Sequence, residues 1–315
     1  MSAPQVLFDA PGPKAVIRHR VIAALGVLVL LAILAFVFLR LDEKGQLEVG
    51  KWTSLIEGSA WENYWLPGIW NTLRVSVIAV VFSIVFGLIL AMGRMSDIGV
   101  LRWTTTIFVE FFRAVPVLIM MIFTYFFLAY QEWSNDAWNP FIAVVVGLLL
   151  YNSSVLCEVI RSGVRSLPSG QREAGLSIGL NPSQVRRSIL VPQSLTSMLP
   201  VIVSQIIVIV KDSALGYIIF YPELLTAARN FGSSRGNVLQ SYLFVAVLFI
   251  VINYGISKLA EAIEDRQRQK AAGAGKKSEK DDDPGEMAGA AVNMDADGGG
   301  GFGIGARRPP SGQRP

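Results

Sequence analysis

Apolar residues in this chain gather in six blocks, each close to the ~20 residues that a helix needs to cross the hydrocarbon of a bilayer. The blocks are Val21–Leu39, Leu73–Met92, Ile107–Tyr130, Phe141–Ile160, Ser197–Phe220 and Val238–Ile256. Inside a bilayer no water is at hand to bond a bare peptide group. Each block must satisfy its own backbone, and a helix does so within one segment. The pattern predicts an all-α, polytopic membrane protein with six transmembrane helices. Lys14, Arg18 and Arg20 precede the first block, as they would in a secretory signal. That block is long for a signal, and Arg40-Leu41-Asp42-Glu43 follows it where small residues should mark a cleavage site. It is expected to stay as a membrane helix.

The rest of the chain divides around these blocks. Residues 1–20 read as a short segment before the first helix, 21–39 as an extra N-terminal helix, 40–72 as an outer segment and 73–260 as the main bundle. The outer segment carries Trp52, Trp61, Trp65 and Trp70. Tryptophan collects where headgroups meet hydrocarbon, so this stretch is expected to lie on the outer membrane surface. The short loop of residues 131–140 adds Trp133 and Trp138, and residues 222–237 read as a second outer loop. Residues 265–315 are rich in Gly, Lys and Asp, with four glycines in a row at Gly298–Gly301. Too little apolar area is available there to offset chain entropy, so this tail is expected to be disordered.

Lys and Arg near the span ends set the orientation. Six spans put both termini on one side. That side holds the basic residues of 14–20, 94–102, 161–187 and 258–270, fourteen in all, against six on the other. Both termini and the segment 161–196 are therefore expected to be cytoplasmic. The net charge of +4 gives no sign of a nucleic-acid partner. The single cysteine, Cys157, permits no internal disulfide and no thiolate metal site. The single histidine, His19, excludes a histidine metal cluster.

Within that cytoplasmic segment, Glu173–Pro192 (EAGLSIGLNPSQVRRSILVP) is a polar island between apolar runs. Gly179 can end a first helical piece by taking the left-handed conformation. Asn181 and Pro182 can start a second, as N-cap and first helical residue. The result is a bent helical pair, too short and too charged to enter the bilayer. Its Glu173-Ala174-Gly175, Gly179, Ile189 and Pro192 resemble the spaced coupling-loop pattern of permease subunits in bacterial ABC importers. Gly175 and Val191 stand where that pattern has Ala and Leu. VEFFRAVPVL (Val109–Leu118), EVIRSGVRSLPSGQREA (Glu158–Ala174) and KDSALGYII (Lys211–Ile219) are similar to the polar amino-acid branch, the glutamate, glutamine and histidine type. The resemblance runs from about Leu66 to Glu264 and leaves out the first helix and the tail.

It implies a five-helix permease core, with Glu173 and its neighbours as the contact to a separate ATP-binding subunit. It also implies a second permease chain, identical or paralogous, and an external solute-binding protein. ATP and magnesium would then be held by the partner, and this chain would need no cofactor of its own. A phosphate loop of the form GxxxxGK[ST] is missing here: the nearest approach, Gly275-Lys276-Lys277, has Lys270 where the first glycine belongs.

Two further features sit inside spans. Lys211-Asp212-Ser213 interrupts the fifth, where a charge costs roughly 2.5–3.5 kcal/mol. These residues either pair structurally or line a polar passage, where Lys meets a carboxylate and Asp an ammonium. Asn152 and Glu158 in the fourth span are candidates for the same passage, although Glu158 can also pair with Arg161. Near the start of the third span, Arg113 precedes Pro116, which should kink that helix; by resemblance this is a gating region. The combined expectation is the permease of an ATP-driven polar amino-acid importer, with glutamate favoured because Lys211 is cationic. An ion-coupled carrier and a membrane anchor or assembly subunit are the rival classes.

Overall fold

The computed structural model describes residues 12–131 and 135–281, the side chains at 13 and 263–281 excepted. Every regular element among the described residues is helical. Helix α1 (Pro13–Glu43) is exposed from Ile17 to Arg40. The short helices α2 (Val49–Thr53) and α3 (Gly58–Ala60) lead through a wide turn at Trp61–Trp65 into α4 (Leu66–Arg94). Helices α5 (Gly99–Ala114), α6 (Val117–Gln131) and α7 (Asn139–Ser166) follow. Helices α8 (Ser169–Ser177), α9 (Pro182–Val185) and α10 (Val191–Ser197) form the polar island. Helix α11 (Leu199–Asp212) tightens into a 3-10 turn at Ser213–Ile219, and α12 (Leu224–Arg235) and α13 (Val238–Asp281) complete the chain. Five helices are long and apolar enough to cross a membrane, and α5 with α6 make a sixth if the bent pair is one span.

Helices α4 and α7 form the spine, against which α5, α6 and α11 pack. One core joins Val75, Ala79, Met121, Val144, Leu148 and Ile209 across α4, α6, α7 and α11. A second lies at the opposite end from the arginine-rich helix termini and gathers Trp65, Leu224, Ala228 and Phe231.

Several expectations are corrected. The third block falls on two helices, α5 and α6, meeting at 99°, so the bend expected at Pro116 is a sharp break. Val115, which precedes Pro116, is extended (φ −83°, ψ 127°), as the proline ring demands of its neighbour. The tryptophans of residues 40–72 differ in exposure. Trp65 is fully buried, its Nε1 donates to the Leu55 carbonyl at 2.8 Å, and its ring lies 5.0 Å from that of Phe231. Trp61 meets Phe244 edge to face, whereas Trp70 is exposed. An indole whose N–H finds a carbonyl loses its reason to stay at the interface. Residues 222–237 contain α12, whose first turn is capped by the Glu223 carboxylate. Past the expected start of the tail, residues 265–281 continue α13, in keeping with their many Lys, Arg, Gln and Ala. Trp133, the glycine run and the rest of the tail lie outside the described residues.

Candidate functional site

The polar island forms as its punctuation requires. Gly179 takes φ +85°, which stops the helix just after Ser177. The Asn181 side chain accepts from the Gln184 N–H at 2.9 Å, and the Gln184 side chain accepts from the Asn181 N–H at 2.8 Å. This reciprocal cap satisfies two orphan donors and starts α9 at Pro182. The two pieces close on each other at Gly175: a Cβ there would stand 2.9 Å from Val185 and 3.0 Å from Ile189. Val185, Leu190 and Val191 are buried beneath. Glu173, Ala174 and Pro192 are exposed. Glu173 stands on the solvent-exposed side of α8.

One ionic tie holds this unit to the bundle, and a second ionic cluster joins the bundle's own helices. The Arg186 guanidinium donates to both carboxylate oxygens of Asp97, at 3.0 and 2.7 Å, so the island is fixed to the turn between α4 and α5. Arg186 holds the Asp97 carboxyl below its ordinary value. Deeper in, Arg94 on α4 donates to Glu158 at 2.9 Å and to Glu110 at 2.5 Å. Arg161, one turn after Glu158, takes both oxygens of the same carboxylate. Glu158 is thus engaged by two arginines, and Arg94, bonded to both Glu158 and Glu110, ties α4, α5 and α7 together. Arg113 lies exposed, 3.9 Å from Glu110. Pro116 sits at the sharp corner between α5 and α6.

The interruption in α11 splits in three. Lys211 borders a hollow of about 560 Å³ with Tyr242, Phe249 and Asn253. Among the described residues Lys211 makes no ion pair and no side-chain hydrogen bond, and the buried Asn253 Oδ1 across the hollow is also unpartnered. Asp212 is half-buried, makes no ion pair among the described residues and lies outside that lining. Ser213 is buried, with its hydroxyl donating to the Val210 carbonyl at 2.8 Å. Asn152 is fully buried on α7 and accepts from Gln205 of α11 at 2.6 Å. The structure therefore brings Lys211 to an open hollow, ties Asn152 between two spans, and sets Glu158 among arginines. Asp97, Arg94, Gln205 and Asn253 were not singled out from sequence. A polar residue within an apolar block was the available signal for Gln205 and Asn253.

Residues 83–269 match the model of the family described as binding-protein-dependent transport system inner membrane component. The glutamate transport system permease protein GluD of Corynebacterium glutamicum is 42% identical over 228 residues, covering 72% of this chain and 84% of that protein. The probable glutamine ABC transporter permease protein GlnP of Bacillus subtilis is 35% identical, covering 62% of this chain and 90% of the relative. Among solved structures, an amino acid ABC transporter with histidines superposes with a TM-score of 0.58 at 27% identity, over 64% of this chain and 92% of that one. The MetNI methionine ABC transporter shares the fold, with a TM-score of 0.54 at 22% identity over 64% and 94% of the two chains.

Proposed function

Because this chain belongs to the family of binding-protein-dependent transport system inner membrane components, we propose that it carries glutamate through the membrane on power supplied by another subunit. It is the multi-pass permease subunit of an amino-acid ABC importer, and the family match favours this over an ion-coupled carrier or a bare anchor. The observation that carries the mechanism is the bent helical pair α8–α9, locked by Gly179 and the Asn181 cap, with Glu173 offered to solvent.

An ATP-binding subunit, which holds ATP and magnesium, docks on this pair through Glu173 and Ala174. Both termini and the docking face are cytoplasmic, in accord with the fourteen-to-six basic bias. A second permease chain completes the passage, and an external solute-binding protein delivers substrate. Closing of the motor moves the docked pair. Because Arg186 holds that pair to Asp97, the turn between α4 and α5 moves with it. The motor must bind the outward and inward states with different affinity, or it shifts nothing. Lys211 presents an unpaired ammonium to the hollow, which suits an acidic amino acid. Arg113 and Pro116 sit at the corner that would flex between states.

Proteoliposomes holding the chain with its ATP-binding subunit, supplied with the solute-binding protein, test the reading. Labelled glutamate should enter only with ATP on the motor side and should persist when ionophores collapse the ion gradients. Uptake that ignores ATP and fails with the gradient would sink the permease mechanism. ATP-driven uptake of basic but not acidic amino acids would sink glutamate alone.

A further inference from the structure

Six arginines converge on a hollow of about 470 Å³ between the polar island and the ends of α4, α5 and α7. Arg94, Arg161 and Arg186 are committed to carboxylates. Arg102, Arg165 and Arg172 are exposed and make no ion pair or side-chain hydrogen bond among the described residues. Among the described residues Asp97 is the only acidic one in the lining. The unbalanced charge is positive and concentrated. Helix α8 also opens toward this hollow at Pro168 and Ser169, and no side chain caps its first turn. Uncapped helix amides and free guanidiniums both favour an anion with several acceptor oxygens, which is the description of a phosphate.

The surroundings narrow the source. The hollow lies where α4 and α7 end, both of them long and apolar enough to cross a membrane, and the end of a spanning helix is where headgroups begin. Arg102 stands on α5 between exposed apolar side chains: Val100, Leu101 and Trp103 all face outward, as do Ile107 and Phe111 further along. A free phosphate has no use for that face, whereas the acyl chains below a headgroup do.

We infer that the arginine hollow seats the phosphate of an anionic phospholipid, with Arg102, Arg165 and Arg172 as its free ligands and the apolar face of α5 against its chains. The bound headgroup bridges α5 to the start of the polar island, beside the Asp97–Arg186 tie. This inference is independent of which solute is transported.

Native mass spectrometry of the full chain, released from detergent with added phosphatidylglycerol or phosphatidylcholine, provides the test. Phosphatidylglycerol adducts should exceed phosphatidylcholine adducts by roughly tenfold or more. Single variants R102Q, R165Q and R172Q should each lower that ratio, and the triple variant should erase it with helical circular dichroism unchanged. The triple lysine variant, which keeps the charge, should retain most of the preference. R229Q, at the opposite end of the bundle, should not change it. Equal binding of the two lipids would overturn the inference, as would displacement by excess sodium phosphate. So would a triple variant that keeps its phosphatidylglycerol but no longer copurifies with the ATP-binding subunit, since those arginines would then face a protein.

Discussion

Arg186 grips both carboxylate oxygens of Asp97 across 89 residues of chain, at 3.0 and 2.7 Å. Arg186 is mostly buried, 16% exposed, while Asp97 is 67% exposed. A planar guanidinium bonded at two points resists rotation as well as separation, so this pair transmits direction and not just attraction. Asp97→Asn should leave the bundle folded, because Asp97 is exposed. It should loosen the tie between the island and the α4–α5 turn. The expected outcome is several-fold more ATP hydrolysed per glutamate imported, with partial recovery when the charges are exchanged in Asp97→Arg/Arg186→Asp. Since Arg186 holds the Asp97 carboxyl below 3.8, the pair is present above that value and lost only as pH falls through the depressed one. The ratio in the unmodified protein should therefore be flat between about pH 5 and pH 8. A ratio unmoved by Asp97→Asn would show that the tie transmits nothing.

Glu173 offers a sharper contrast between folding and coupling. It lies exposed on α8 and its carboxylate makes no ion pair among the described residues. An exposed, unpaired side chain away from caps and cores moves stability by no more than about 0.5 kcal/mol. Glu173→Lys should thus unfold at the same temperature as the unmodified chain. Uptake should nevertheless fall by roughly two orders of magnitude, as expected when a contact to the motor becomes repulsive. Copurification of the ATP-binding subunit and its ATP turnover, measured beside uptake, separate lost docking from lost transmission. Normal import and normal turnover in an assembled Glu173→Lys complex would remove the docking role.

Why the polar island was legible and the rest less so is a matter of range. Gly179, Asn181, Pro182 and Gln184 act on residues two to four positions away, so their pattern is complete within the stretch itself. The six blocks were legible for the same reason: lipid acts on each segment alone. The partners of Glu158 are different. Arg161 is one turn away and was foreseen, but Arg94 lies 64 residues back. Proline at 116 announced a break, yet its size depends on what α5 and α6 each pack against. Trp65 illustrates the limit most directly. An indole at an interface and an indole bonded to the Leu55 carbonyl need the same residue, and only tertiary packing separates them.

Glu223 makes stability depend on pH. Its side chain is fully buried at the head of α12, where it accepts from the N–H groups of Leu225 and Thr226, each at 2.7 Å. Burial raises its carboxyl from 4.5 to about 7, and those hydrogen bonds offset only part of the shift. The folded state therefore binds a proton that the unfolded state does not hold between those two values. Its contribution is present at pH below 4.5 and is lost as pH rises through about 7. Thermal unfolding in detergent should show the melting temperature of the unmodified protein falling between pH 5 and pH 8. Glu223→Gln should remove that part of the slope, and at pH 5 it should cost about 1 kcal/mol for the weakened cap. Parallel curves for the two proteins would show that Glu223 does not titrate in this range.

Lys211 separates a substrate group from a structural one. It stands at the edge of the hollow with Tyr242 and Asn253, and Asp212 beside it in sequence does not neutralise it. A structural cation within a span is held by a partner, so removing it leaves the partner stranded and destabilises the fold. A cation kept for a ligand has no such partner, and its removal relieves a cost. Lys211→Met should therefore unfold at the same or a higher temperature. Glutamate uptake should fall roughly tenfold or more, because the buried carboxylate of the solute would be left unpaired. Glutamine, which lacks the side-chain charge, should lose less. The two measurements must be made on the same preparation. Should Lys211→Met melt several degrees lower while importing glutamate at the normal rate, the ammonium belongs to the scaffold and the acidic substrate loses its physical support.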